Sequence, residues 1–285
     1  MRIVRYQRPG YDLIETGLLD DDLIYPVDAV TDPLDLLILD ADEQDSLTAE
    51  ARSGQPISAG SVTLRRPLGY MRRVLALASN YRKPDGDRHS GDATPWFFMK
   101  WADGTLGPNE AIGLPSLADL CVQEIELAVV IGRRGRNIAE GDALNHVAGY
   151  SVCNDVSART LTIPASRRAG DYTSYLDWLN GKWFDGFFTL GPAVVRAQDL
   201  DASNLRITAT INGDTCLDGN TTDMHFDVAQ SIAYISKFME LQPGDVIATG
   251  MPQVVGDEVR LAPGDVIEGT IEGIGTLSNP VVAGA

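Results

Sequence analysis

Two apolar runs that each carry acid at one end constrain this chain more than any other feature. The first is E-I-E-L-A-V-V-I-G at Glu124–Gly132, and the second is A-G-Y-S-V-C-N-D at Ala148–Asp155. Glu124 and Glu126 alternate with Ile125 and Leu127, so an extended chain sends both carboxylates to one face, roughly 6–7 Å apart. Val129, Val130 and Ile131 continue as apolar sequence, which predicts a strand that enters a core with the acids at its mouth. Val147 to Val152 predicts a neighbouring strand that ends at Asn154 and Asp155. Together the three acids offer oxygen donors to a hard divalent cation, Mg²⁺ or Mn²⁺. The spacing alone reads more often as three solvated acids on strand edges, because an isolated E-x-E is common.

The 285 residues, 44% of them hydrophobic, suffice for one large domain or two small ones with a real core. A net charge of −17 argues against nucleic acid and against anionic membrane surfaces as partners. It does not forbid an anionic substrate, since a bound cation and local Lys or Arg reverse the field inside a cleft. Cys121, Cys153 and Cys216 form no close pair, so free thiols in a reducing compartment are expected. No apolar run has the length of a membrane span, and M-R-I-V-R-Y-Q-R is too polar for a signal peptide. The expectation is a soluble, cytoplasmic protein.

Residues 1–68 differ in texture from the rest and predict a small α+β N-terminal domain, with the main domain over 69–285. Arg2–Tyr6 and Leu13–Leu19 read as strands around R-P-G-Y, and Leu47–Arg52 as a short helix stopped at Ser53-Gly54. Val74–Ala78 is a buried strand. Ile207–Ile211 and Cys216-Leu217 flank Asn212-Gly213, a strong hairpin signal. Val228, Ile232, Ile235 and Met239 repeat at helical spacing, which predicts an amphipathic helix over Asp227–Glu240, with His225 before it in a structural role. Leu-x-Pro-Gly-Asp-Val-Ile occurs twice, at Leu241–Ile247 and Leu261–Ile267, each a type II turn launching a strand.

Taken together, the motifs resemble the signature of the fumarylacetoacetate hydrolase family. They are E-I-E-L-A-V-V-I-G with G-Y-S-V-C-N-D-V-S-A-R, then G-K-W-F-D-G-F at Gly181–Phe187, L-G-P at Leu190–Pro192 and I-N-G at Ile211–Gly213. L-Q-P-G-D-V-I-A-T-G-M-P at Leu241–Pro252 and G-x-G-x-L-x-N-P at Gly273–Pro280 follow. Upstream, A-S-N-Y-R at Ala78–Arg82 and F-F-M-K at Phe97–Lys100 also fit. The resemblance runs from about Arg73 to the C-terminus. It implies an α+β fold with a rolled, mixed β structure, a homodimer, and a site for Mg²⁺ or Mn²⁺ formed by Glu124, Glu126 and Asp155. It implies a small-molecule substrate with a 2-oxo or 1,3-dicarbonyl unit, whose developing enolate the metal would stabilise. Lys182 and Arg82 would meet substrate charge, Thr249 and Gly250 would meet the substrate through hydroxyl and backbone, and Tyr81 and Arg159 complete the binding set. Lys182 is expected to serve the substrate rather than the fold.

The sequence also departs from the family. Where relatives carry a lid His and Glu that activate water, this chain has N-Y-R-K-P-D-G-D-R-H, with Lys83 or Pro84 at the His position. His89 is the local candidate for the base. Arg159 would share a face with Asp155 if a helix began there. Arg167, Arg168, Tyr172, Tyr175 and Trp178 belong to a long segment, Pro164–Gly181, that reads as a surface excursion or as a substrate-gating or dimer contact. Met251 replaces a Thr. Three functional readings stand: a metal-dependent C–C hydrolase of acylpyruvate-like compounds; a decarboxylase, keto–enol isomerase or cyclase on the same site; and a catalytically silent metal-binding protein.

Overall fold

Alternating sequence becomes two large sheets and a two-stranded ribbon in the computed structural model, which describes residues 1–82, 94–162, 170 and 172–284. The N-terminal strands are β1 (Arg2–Gln7), β2 (Ile14–Asp20), β3 (Leu23–Pro26), β4 (Ile57–Ser58) and β5 (Thr63–Arg65). Two helices lie between β3 and β4. Helix α1 (Pro33–Leu37) starts at Asp32, whose side chain accepts from the Leu34 N–H. Helix α2 (Ala41–Ser53) begins six residues earlier than the expected Leu47, because Asp40 caps it by accepting from the Glu43 N–H. It ends at Gly54, as expected.

The remaining strands are β6 (Arg73–Ala78), β7 (Trp96–Lys100), β8 (Ile112–Leu114), β9 (Ala118–Val122), β10 (Ile125–Ile131), β11 (Val147–Asn154), β12 (Ser157–Leu161) and β13 (Thr189–Arg196). After them come β14 (Arg206–Ile211), β15 (Asp214–Asn220), β16 (Asp245–Ala248), β17 (Val266–Ile271) and β18 (Gly275–Ala283). Helices α3 (Thr173–Asn180) and α4 (Val228–Phe238) complete the set. The large sheet has the order β4-β3-β2-β1-β13-β11-β10-β16-β6-β7, with β5 also on β1. Because β1 pairs with β13, Arg2 opposite Val195, the sheet runs without a break from the N-terminal segment into the rest of the chain. A second sheet has the order β15-β14-β17-β18-β8.

Strand β10 lies at the junction of the core, which explains its unbroken apolar run. Ile125, Leu127, Val129 and Ile131 join the second sheet's Ile207, Ile267, Ile271 and Leu277 in one hydrophobic cluster. Ala128 and Val130 face the other way, into a cluster with Leu34, Leu36, Phe98 and Phe188. Side chains alternate along a strand, so Glu124 and Glu126 share the face of Ala128 and Val130.

Local turn chemistry is realised as the residues dictate. Asn212 and Gly213 both take positive φ, 55° and 89°, the type I′ geometry that a two-residue hairpin needs. Asp227 accepts from the Gln230 N–H and Gln230 reaches back, a full capping box for α4. In the repeated Leu-x-Pro-Gly-Asp turns, Gly244 and Gly264 take φ of 86° and 100°. Asp245 accepts from the Gln242 N–H at 2.8 Å, and Asp265 accepts from the Ala262 N–H at 2.7 Å.

The two copies differ in burial. Asp265 is only partly buried and also accepts from Asn212 Nδ2 at 2.8 Å, whereas Asp245 is fully buried and ion-paired with Arg73 across the parallel β6–β16 pair. Asp265→Ala is expected to cost about 1–2 kcal/mol, the turn hydrogen bond and the partly exposed one from Asn212. Asp245→Ala should cost about 3 kcal/mol, since it strands a half-buried guanidinium. Urea unfolding of the two variants checks this, and equal losses would show that the Arg73 pair adds nothing.

Candidate metal centre

Register delivers the acids to one point. Strand β10 pairs with β11 so that Ile125 faces Asn154 and Glu126 faces Cys153. The chain beyond β11 therefore emerges beside Glu124, and the Asp155 N–H donates to the Glu124 carbonyl at 2.8 Å. On the other side β16 pairs with β10, Ala248 opposite Ala128, which places Thr249 and Gly250 next to Leu127 and Glu126. Glu124, Glu126 and Asp155 are all buried, and one oxygen from each lies within 4.8 Å of the others.

Three cationic side chains enclose these acids. The Lys182 ammonium donates to Glu124 Oε2 at 2.9 Å and to Asp155 Oδ2 at 2.8 Å. Arg159 Nη1 pairs with Glu124 Oε1 at 2.7 Å, and its Nε and Nη2 hold Glu258. Lys100 pairs with Asp155 Oδ1 and also donates to the carbonyls of Val156 and Phe187, at 3.0 and 2.6 Å. The Ser157 hydroxyl lies 2.8 Å from Glu124 Oε1, and the Gly250 N–H donates to Glu126 Oε2 at 2.6 Å. Asn154 Oδ1 accepts from the Glu124 N–H at 2.8 Å, fixing the start of β10.

The cations are not shared evenly, and the two glutamates titrate apart. Burial alone would raise Glu124, but Lys182 and Arg159 outweigh it and hold the carboxyl below its usual range. Among the described residues Glu126 has no such pair; burial, then Asp155 and Glu124, push it well above its usual range. Burial lowers Lys182, yet Asp155 and Glu124 more than reverse this and keep it protonated. Burial is the larger influence on Lys100, whose affinity for its proton falls.

The residues fit a hard divalent cation. All donors are oxygen, and ligands around Mg²⁺ or Mn²⁺ at about 2.1 Å stand roughly 3–4 Å apart, within small adjustment of the observed cluster. The side chains that could hold the ion are Glu124, Glu126 and Asp155.

The other expected residues divide. Lys182 joins the cluster, but from the chain just past α3 and its Gly181 cap rather than from a strand end. It is buried, 5.1 Å from the Phe98 ring centre and 5.9 Å from that of Trp178, which packs edge-on against Phe98. Its ammonium is thus ion-paired within the protein. Arg159 also joins the cluster, yet no helix carries it there. It lies on β12, because residues 157–161 pair with β9. Tyr81 is buried, and its hydroxyl approaches Thr249 without a hydrogen bond of normal geometry. The Thr249 hydroxyl donates to the Leu127 carbonyl at 3.0 Å, so that proton is committed within the protein, as is the Gly250 N–H. Arg82 lines a separate cleft of about 790 Å³ with His225, Asp227 and Tyr150, and the three carboxylates do not line it. His89, Lys83, Pro84, Arg167 and Arg168 lie outside the described residues. Lys100, Ser157 and Asn154 were not singled out from sequence. The signal for Lys100 was a lysine closing the apolar run F-F-M-K.

With this geometry in place, comparison with known proteins identifies the family. A family model described as "Fumarylacetoacetate (FAA) hydrolase C-terminal" matches residues 72–282. A human oxaloacetate tautomerase, FAHD2A, mitochondrial, is 42% identical over 227 residues, 78% of this chain and 70% of that protein. A Xenopus laevis oxaloacetate tautomerase, fahd2, mitochondrial, is 37% identical over 232 residues, 79% of this chain and 70% of that protein. A maleylpyruvate hydrolase from Sphingobium sp. SYK-6, solved with manganese(II) and pyruvate, superposes with a TM-score of 0.82 at 26% identity, over 100% of both chains. A 5-carboxymethyl-2-hydroxymuconate delta-isomerase from Mycobacterium smegmatis does so with a TM-score of 0.79 at 28% identity, over 100% of both.

Two outcomes are expected. Glu126 must lose its proton to bind a cation, so Mn²⁺ affinity should rise as pH increases from the ordinary carboxylate range. Calorimetry in buffers of different ionisation enthalpy should register release of about one proton per ion; pH-independent binding without proton release would contradict the assignment. Lys182→Met should lower stability in the absence of metal by about 3 kcal/mol, because it leaves buried carboxylates short of a cation. An unchanged melting temperature would show that the ion pairs contribute nothing to the fold.

Proposed function

The chain belongs to the fumarylacetoacetate hydrolase family, and we propose that it interconverts the keto and enol forms of a 2-oxo dicarboxylic acid of the oxaloacetate type. It is an enzyme of a family whose members include hydrolases, isomerases and tautomerases. One observation carries the reading: three buried carboxylates, each offering one oxygen to a common point, adjoin a protonated lysine with a donor to spare. Mg²⁺ or Mn²⁺ held by Glu124, Glu126 and Asp155 would supply Lewis-acid polarisation of the substrate's carbonyl.

The side chains account for the remaining steps. An ammonium has three donors, and Lys182 commits two, so the third meets the oxygen on which enol charge builds. Arg159, 28% exposed at its side chain, keeps guanidinium N–H groups beyond those given to Glu124 and Glu258 and suits a substrate carboxylate. The buried Tyr81 hydroxyl supplies a further donor for a ligand oxygen. Tautomerisation moves one proton between carbon and oxygen and consumes no water. It therefore suits a chain with Lys83-Pro84 where the family's water-activating His would stand. The higher identity to oxaloacetate tautomerases than to the maleylpyruvate hydrolase supports the same choice.

A second reading, hydrolysis of an acylpyruvate, is favoured by the whole-chain similarity to that hydrolase, with His89 as the base. The functional unit in either case is read as a homodimer. Edge strand β7 exposes Trp96 and Met99, and Trp101 follows, an apolar edge of the kind that a second chain covers. The free thiols Cys121, Cys153 and Cys216 suit a reducing compartment. No helix among the described residues is long and apolar enough to cross a membrane.

Ultraviolet spectroscopy of freshly dissolved enol-oxaloacetate should show enzyme-dependent ketonisation that needs Mg²⁺ or Mn²⁺. The activity should vanish with EDTA and fall at least about 100-fold in Glu126→Gln. Acetylpyruvate hydrolysis, followed by pyruvate release, should stay below the usual range of about 10⁴–10⁸ M⁻¹s⁻¹ for kcat/KM. Fast pyruvate release with no ketonisation would reverse the order of the two readings. Light scattering should give twice the chain mass.

A further inference from the structure

Every carboxylate of the cluster has at least one oxygen held by the protein, and Lys182 also reaches the second oxygen of Glu124 and of Asp155. Glu124 Oε1 is held by Ser157 and Arg159, Glu126 Oε2 by the Gly250 N–H, and Asp155 Oδ1 by Lys100. Lys100 differs from the other holders in how it arrives. In the sheet order β7 lies four places from β11, a distance of about 19 Å in a flat sheet. A lysine side chain spans roughly a third of that, so the contact exists only because the sheet curls back on itself.

The Lys100 ammonium is fully spent. Its three donors meet Asp155 Oδ1 and the carbonyls of Val156 and Phe187, leaving none for a substrate. Two of these acceptors are main-chain atoms, so the backbone fixes the ammonium and the Asp155 carboxylate conforms to it. Asp155 Oδ2 is thereby turned toward Lys182 and the cluster. Burying an ammonium to join strands costs desolvation that an apolar side chain of the same length would not. The charge therefore needs a reason beyond packing.

We propose that Lys100 is a positioning residue that sets the ion preference of the centre by confining Asp155 to single-oxygen donation. This rests on the metal-site reading above. Ca²⁺ takes six to eight oxygens at about 2.3–2.6 Å and favours bidentate carboxylates, whereas Mg²⁺ binds six at about 2.0–2.1 Å and keeps several waters. Three single-oxygen donors leave about half of an octahedron open, which suits Mg²⁺ or Mn²⁺ and starves Ca²⁺. Lys100 touches only one of the three carboxylates, Asp155, so it can be removed while the holders of Glu124 and Glu126 and the side chains that face substrate stay in place.

The test is the ratio of Mn²⁺ to Ca²⁺ dissociation constants, with Mn²⁺ followed by its EPR signal and Ca²⁺ by competition, in the full chain. Removing a positive charge strengthens attraction to any dication alike, so the ratio isolates geometry from charge. Lys100→Met, shown folded by near-ultraviolet circular dichroism, should lose about tenfold or more of the preference for Mn²⁺. Lys100→Gln, which keeps an N–H for Asp155, should retain more of it. An unchanged ratio in folded Lys100→Met overturns the proposal, and so does failure of both variants to fold, which would assign Lys100 to the curl of the sheet. Wild-type protein that binds neither ion would instead refute the metal reading itself.

Discussion

The structure depends on how three buried carboxylates are neutralised. Glu124, Glu126 and Asp155 are almost wholly removed from water, and unpaired ionised groups in such surroundings are prohibitively costly. Lys100, Lys182 and Arg159 offset that cost from three separate parts of the chain. The same ion pairs that make the acids tolerable also tie edge strand β7, the segment after α3, and β12 to the central strand pair β10–β11. Site and fold are thus one electrostatic unit, and Lys182 belongs to both.

The distribution of those cations matters as much as their number. Glu124 receives two and stays ionised, whereas Glu126 receives a backbone N–H and holds its proton more tightly. Lys182 and Arg159 keep donors to spare, while Lys100 keeps none. That contrast separates side chains that can face a substrate from one that only orients a ligand.

Much of this was legible in the chain. E-x-E before an apolar run places two carboxylates on one strand face, because side-chain alternation is a property of any extended backbone. Asn212-Gly213 and the two Pro-Gly-Asp turns announced themselves because only a few residues adopt positive φ cheaply. The α4 helix was readable from its apolar spacing. The ordered run of motifs from Ala78 to Pro280 carries the family resemblance in the residues themselves. These features are local, and a local backbone preference is written in a handful of neighbouring residues.

What the sequence could not decide was set by contacts between distant segments. Arg159 lies on a strand because residues 157–161 find β9, and no spacing near Asp155 encodes that partner. β1 joins β13 some 190 residues away, which carries the sheet across the expected boundary near residue 68. Thr249 and Gly250 turn their donors inward because the register of β16 on β10 sets them against Leu127 and Glu126. Lys100 reaches Asp155 only because the sheet curls. Residue order alone specifies which side chains carry charge and which short stretches turn, extend or coil. The tertiary structure decided which charges meet, because the energy of an ion pair depends on separation and burial, and both are products of the whole fold.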